Sequence, residues 1–580
     1  MTDYREEQSC QIRIDAAQMA KDRPHPDHLA NGDEQRFASA NYAMCFTKGL
    51  EHCKDTGLIV NRGDFEDFRR AIDEGQIDEF TTNVRPAPNK ARAWEAPTAG
   101  IVYELEGPDP QAVTMAPAPA LGSDELAYEM AEVYELALLR DQPLVEFSTG
   151  TTNTAIQSSL DRLNALPYTT EGFPGRDRTT ENGAVTPQTL FRGSSPGVAV
   201  GPYLSQFMLI GNEQPGNKGI AHGFIQYGAL QINQRVPVAT AQDYLIEKED
   251  WLDAQNGVSL RKNEELFEAE KPRRFITYPR DLATYVHDDA LYEAYLNACL
   301  ILLSMKAPFD PGFDNLSGQG ELFQQGAGSI PRAAGGFALY GGPHILTLVT
   351  EVATRALKAV RYQKFNTHIR LRPEALAGRI HCADAIETAF PHLGKPFSAL
   401  EEQIKPTVDA IRTDNASCTA LLPMAFQEGS PMHPSYGAGH ATVAGACVTI
   451  LKAFFDTNAV FVRRKMKDSE CTEDIFAMPQ AEDQSVQYVP DLAGENLIAR
   501  TGEGYEFLTL EGELNKLAAN ISIGRNMAGV HYYSDYYDSL RMGEEIAIAI
   551  LEEQALCYPT DPFVLTVPTF DGDVVRIGAR

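Results

Sequence analysis

The spacing of apolar residues in the C-terminal half constrains this chain most. In HILTLVTEVATRALKAVRYQKF (344–365), Ile345, Leu348, Val349, Val352, Ala356, Leu357 and Val360 fall on one broad helical face. HATVAGACVTILKAFF (440–455) is apolar almost all round, and helical spacing returns in 512–529 and 534–556. Faces this wide must be buried against other helices, so the expected class is all-α, built of helix bundles with long loops and minor β structure. Earlier in the chain, 124–141 and 290–305 read as helices, the first with an acidic start. Strand candidates are few: a short stretch near 97–104 and the FVLTVPTF tail (563–570).

At 580 residues the chain is too long for one simple core. A polar arm is expected over 1–35 and a helical region with long loops over 36–306. A connecting loop with nine Gly and four Pro spans 307–343, and a C-terminal helical bundle occupies 344–580. The formal net charge of −30 argues against nucleic acid as a partner. It also makes any anion site a local exception, assembled from clustered Lys and Arg against the mean field. No apolar run reaches the roughly 18 residues of a membrane span, and no signal-peptide core opens the chain. The expectation is a cytoplasmic protein that does not enter membranes. Nine cysteines without a CxxC pair argue against a zinc site. Most read as free thiols, with Cys10, Cys45 and Cys53 as candidates for cross-links between subunits.

Three clusters carry potential chemistry. In KFNTHIRLRP (364–373), Lys364, His368 and Arg372 recur every four residues, a drifting stripe if the segment is helical. Pro373 disfavours helix at Arg372 and ends the stripe. In SPMHPSYGAGH (430–440), Gly437 and Gly439 allow close backbone approach, and a helix starting near Gly439 would aim its first N–H groups at an anion beside His440. In GRNMAGVHYYSD (524–535), Arg525 ends a helix, Gly529 caps it and His531 opens the next. Asp535, four residues on, can accept from one nitrogen of His531 and leave the other free as nucleophile or ligand. Taken singly, the three also read as a solvated basic face, a Pro-Gly turn with a capping histidine, and a surface His–Asp pair. Together they supply the donors that a tetrahedral oxyanion needs.

The order K-x7-RP, then GH at a helix start, then GR-x5-H-x3-D resembles the vanadium-dependent haloperoxidase and type-2 phosphatidic-acid-phosphatase superfamily. KAVRYQKFNTHIRLRPE, HPSYGAGHAT and GRNMAGVHY are most similar to its bromoperoxidases of the red-algal type, and the likeness is best over 335–545. The resemblance implies a core of two four-helix bundles and a vanadate cofactor, one per chain. Lys364, Arg372 and Arg525 would hold its oxygens, and Gly439 would donate its backbone N–H. His531 would be the axial ligand of vanadium, and His440 the acid–base residue. Lys364 would also polarise hydrogen peroxide. His433 and Arg361 would shape halide choice, His433 favouring bromide over chloride. The implied reaction is oxidation of bromide, with chloride and iodide as further candidates, to hypohalous acid that halogenates a small organic acceptor. A homo-oligomer built from dimers, up to a dodecamer, is implied as well.

Two departures stand out. The family's second motif carries a serine where this chain has Ala438, which removes one hydroxyl from the anion site. Its calcium loop finds only Asp310, Asp314 and Gln325 here, with no Asp-x-Asp pair, so calcium is the weaker expectation. Two rival functions use the same residues. A soluble acid phosphatase would employ His531 as nucleophile and His440 as leaving-group acid, and a non-catalytic oligomer would merely bind an oxyanion.

Overall fold

The computed structural model describes residues 2–149, 153–167, 176, 178–212, 219–260, 267, 273–313, 337–465, 471–559 and 562–578. Eight helices define the fold, and all but the first bury residues in its core. They are α1 (Thr2–Asp22), α2 (Asp124–Leu138), α3 (Glu293–Met305), α4 (Gly342–Tyr362), α5 (Pro373–His381), α6 (Gly439–Phe454), α7 (Leu510–Met527) and α8 (Tyr533–Ala555). The helices read from spacing are all present, within a few residues at their ends. Local chemistry fixes several of those ends. Ser123 Oγ accepts from Leu126 N–H at 3.2 Å to cap α2, and Thr509 Oγ1 accepts from Gly512 N–H at 3.0 Å to cap α7. Gly529, at φ 85°, takes the left-handed turn after α7.

Helix α6 is the centre of the bundle. Every residue from Ala441 to Phe454 is buried, and the helix packs on α8, α4 and α7. Its closest neighbour is α8, and glycines permit the approach. A Cβ on Gly445 would overlap the carbonyl of Leu540, and one on Gly543 would overlap the carbonyl of Thr442. The two backbones touch there, about a turn from His440 on one side and two from Asp535 on the other.

Between α6 and α7 lies an antiparallel sheet of β1 (Val460–Lys465), β2 (Thr472–Ala477), β3 (Gln484–Pro490), β4 (Leu497–Thr501) and β5 (Leu508–Thr509). The order is β2-β1-β3-β4, with β5 also paired to β1. Phe461 lies opposite Phe476, and their rings stack at 4.9 Å. The tail forms a hairpin of β6 (Val564–Pro568) and β7 (Val574–Gly578), in keeping with the strand expected there. The stretch near 97–104 is not a strand: it contains a short 3-10 turn at Ala99–Ile101.

A second, smaller core gathers Phe46, Phe65, Phe68, Phe80 and Phe365 from the N-terminal segment and from the end of α4. It buttresses the turn that carries Lys364. Helix α4 passes at Gln363 into a π-helical turn that ends at His368, and Ile369 follows at φ 40°. The left-handed region is costly for a β-branched residue, and here it reverses the chain into an extended segment. That segment is held on both sides, since Phe46 N–H donates to Ile369 O at 2.8 Å and Ser435 N–H to Arg370 O at 2.9 Å.

Lys364, His368 and Arg372 are therefore not one helical stripe. The helix stops before Arg372, which instead caps α5 in extended conformation. His368 turns away from Lys364 and meets the Tyr436 ring edge-to-face at 4.6 Å. The reading of most cysteines as unbridged holds, and one cross-link candidate falls away. None of the nine forms a disulfide within the chain. Cys45 is buried in the small aromatic core and cannot reach another subunit, whereas Cys10 is exposed and Cys53 half-buried. Of the calcium candidates, Asp310 is buried with Oδ1 accepting from Gly312 N–H at 2.7 Å, while Asp314 and Gln325 lie outside the described residues. Among the described residues, no helix is long and apolar enough to cross a membrane.

Candidate active site

The three clusters converge on one cavity of about 340 Å³. Arg361, Lys364, His433, Gly439, His440, Arg525 and His531 all line it. Arg372 lies just behind, in contact with His433 and His531. Ala438 and Asp535 are buried outside its lining.

His531 has a defined tautomer. Its Nδ1 stands 2.7 Å from Asp535 Oδ2, so Nδ1–H donates to the carboxylate. Its Nε2 is 3.0 Å from Arg372 Nη1, and a guanidinium can only donate, so Nε2 presents a lone pair. Burial, then the Arg372 charge, holds the pKa of His531 well below that of a free histidine, and the ring is neutral. Asp535 also accepts from Arg370 Nη1 at 2.9 Å, from Tyr532 N–H at 3.1 Å and from the Ser435 hydroxyl. Burial alone would raise its carboxyl, but Arg370 and His531 outweigh burial and keep it far below the usual range. Arg370 is held in turn by Glu129 of α2, so the N-terminal half braces the ring.

Lys364 is fully buried. Its Nζ donates to the carbonyls of Pro434 at 2.8 Å, Ser435 at 3.1 Å and Gly437. Burial, followed by repulsion from Arg372 and Arg361, pushes its pKa well below the ordinary lysine value. His433 Nδ1 stands 2.8 Å from Arg372 Nη2 and 3.1 Å from Pro434 O; a guanidinium can only donate, so the shorter contact makes Nδ1 the acceptor and puts the His433 proton on Nε2. Burial brings the Arg372 pKa down to about 9, against the pull of Asp535. Arg525 Nη1 donates to Val286 O at 2.5 Å, while its Nε is buried with no partner among the described residues.

His440 sits in the first turn of α6 and donates Nε2–H to Asp289 Oδ1 at 2.9 Å, which leaves Nδ1 able to take a proton. Burial lowers its pKa and Asp289 opposes the shift. For Asp289, burial works upward but His440 prevails and holds the carboxyl below its ordinary range. No spacing in the sequence pointed to Asp289, to Glu95, or to the His287–Glu428 pair at 2.8 Å on the cavity wall. Their partners lie far away along the chain, and only the fold brings them together.

The donor set suits an oxyanion. One imidazole lone pair faces cations, and α6 starts at the cavity. Among the described residues a Cβ on Gly439 would meet only Leu357 Cδ2 at 3.7 Å, so packing does not demand glycine there and the open side is the cavity. Arg361 Nη1 and Arg525 Nε are buried donors without a partner among the described residues, as groups reserved for an anion would be. Among the described residues, no three His, Cys, Asp or Glu side chains gather as a cation site. Vanadate, an oxyanion taking one imidazole nitrogen and many hydrogen bonds, fits this set.

Known proteins resemble the chain along nearly its whole length. Residues 409–557 match the family model of the VCPO second helical-bundle domain. The chain is 41% identical to the vanadium-dependent bromoperoxidase of Corallina officinalis, with 98% of each chain covered. Identity to the vanadium-dependent bromoperoxidase of Ascophyllum nodosum is 32%, over 97% of this chain and 86% of the relative. The homohexameric structure of the second vanadate-dependent bromoperoxidase of Ascophyllum nodosum superposes with a TM-score of 0.77 at 25% identity, covering 99% of this chain and 90% of that one. Helical architecture, cavity and full-length identity point the same way, and the chain belongs to the vanadium-dependent bromoperoxidase family.

Proposed function

We propose that this chain oxidises bromide with hydrogen peroxide, using one vanadate held in the cavity by His531, Lys364, Arg372, Arg525 and the Gly439 N–H. The observation that carries the reading is the convergence of the His531 Nε2 lone pair with these cations at the start of α6. Bound vanadate supplies a Lewis-acidic centre that activates peroxide without changing its own oxidation state.

The residues do the rest. Asp535 and Arg370 fix the His531 ring so that Nε2 faces inward. The buried cations neutralise oxyanion charge. Lys364, held in the cavity wall by three carbonyls, would release one of them to donate to an incoming peroxide. His440, neutral and aligned by Asp289, takes a proton from peroxide at Nδ1 and returns it to the departing oxygen. Arg361 and the Nε2–H of His433 offer positive charge to bromide. Hypobromous acid, being neutral, leaves the cationic pocket without electrostatic retention and brominates a small organic acceptor. An assembly of dimers accompanies the proposal, supported by the homohexamer seen for the Ascophyllum protein.

The test compares two activities of the purified chain. Incubated with orthovanadate, it should brominate a cyclic dione only when both peroxide and bromide are present. Without vanadate, it should hydrolyse an aryl phosphate slowly or not at all. Fast phosphate hydrolysis with no bromination at any vanadate level would make it a phosphatase, and neither activity would make it an oxyanion-binding protein.

A further inference from the structure

Glu95 comes from the N-terminal half, yet its carboxylate faces the cavity cations. Its backbone N–H donates to Met432 O at 3.0 Å, and Met432 N–H donates back to Glu95 Oε1 at 3.2 Å. One carboxylate oxygen is thus anchored to the loop that carries His433. The other, Oε2, stands 3.4 Å from His433 Nε2 and 3.9 Å from Arg361 Nη2. Because Arg372 fixes the His433 proton on Nε2, Oε2 faces two donors at once. The Glu95 charge also favours the protonated forms of Arg361, Lys364, Arg372 and Arg525, so its field reaches each of these cations. The side chain is nonetheless 43% exposed, with water on its outer side.

We propose that Glu95 is a built-in competitor for the halide: its Oε2 holds the anion position between Arg361 and His433, and bromide binds by displacing it. The proposal rests on the bromide-oxidising reading of this cavity. Two anions cannot share the same pair of donors without strong repulsion at such short range. The exposed outer side gives the displaced carboxylate a hydrated position to move to, so displacement costs little. Glu95 then sets how much bromide is needed, and leaves the rate at saturation to the groups around vanadate.

Glu95→Gln removes the charge and keeps an oxygen for the Met432 N–H. Glu95→Asp keeps the charge on a shorter side chain. With the protein saturated in orthovanadate, Glu95→Gln is expected to lower the bromide KM about fivefold to tenfold with kcat within about twofold of the parent. Glu95→Asp is expected to stay within about threefold of the parent KM. Calorimetric titration of the vanadate-free protein with inorganic phosphate gives a readout independent of turnover, and Glu95→Gln should bind phosphate more tightly. A Glu95→Gln KM equal to or above that of a parent that brominates normally overturns this proposal and leaves bromide oxidation standing. So does an equal loss of kcat and thermal stability in both variants, the pattern of a merely structural residue. A parent protein that shows no bromination overturns the underlying reading instead.

Discussion

Ala438 is the residue at which this chain departs from the serine that the motif resemblance leads one to expect. It occupies the N-cap of α6 with no side chain to cap the helix, and its own N–H donates to Ser539 Oγ at 2.7 Å. A serine here would place a hydroxyl within one turn of Gly439 and His440, able to cap the helix or to reach a bound oxyanion. One added neutral hydrogen bond is worth about 0.5–1.5 kcal/mol. Ala438→Ser should therefore tighten orthovanadate about twofold to tenfold, measured by reconstituting the vanadate-free protein at graded vanadate. At this scale the sequence was informative where partners are close along the chain. His531 and Asp535 lie four residues apart across the start of α8, where Asp535 also accepts from the N-cap Tyr532 N–H, and their pairing at 2.7 Å was expected from that spacing. Asp289 and Glu95 were illegible, because a lone carboxylate in a loop carries no mark of the histidine it will meet. His368 was misleading: its spacing matched Lys364 and Arg372, but a π turn and a left-handed Ile369 broke the helical register between them.

Helix periodicity carried most of the architecture. The wide apolar faces of α4, α6 and α8 leave few arrangements besides a bundle, and small residues let α6 and α8 touch. Gly543→Ala would drive a methyl into the Thr442 carbonyl and force the two helices apart. The expected loss of stability is about 1–3 kcal/mol, read as a lower denaturant midpoint with an unchanged m-value. The inserted sheet escaped detection for a physical reason. Strand β3 is buried on both faces through Ser485 to Val489, and β1 is buried along its first half, so neither shows the alternation that marks a half-exposed strand. Its short apolar runs look the same as pieces of buried helix until the pairing is seen.

Over the whole molecule, the net charge of −30 and the cationic cavity oppose each other. Long-range attraction for anions is weak, and binding depends on groups buried at the site. Burial also governs the acid response. His52 and His368 are held neutral, burial being the largest cause, with pKa values brought down to about 3. In the unfolded chain the same side chains titrate near 6.5. Below that pH the unfolded state binds more protons, so stability falls as pH falls from about 6.5 towards 3. Two such groups give a limiting slope of about 2.7 kcal/mol per pH unit. Melting temperatures recorded from pH 7 to pH 4 should decline steadily, and a flat profile would mean that these histidines are solvated.

The central claim is that His531 anchors the vanadate on which bromide is oxidised. The direct measurement is the rate of peroxide-dependent bromination as orthovanadate is titrated into the vanadate-free parent and into His531→Ala. The parent should rise to saturation while the variant stays at the background of free vanadate. A His531→Ala protein that follows the parent's curve would contradict the account.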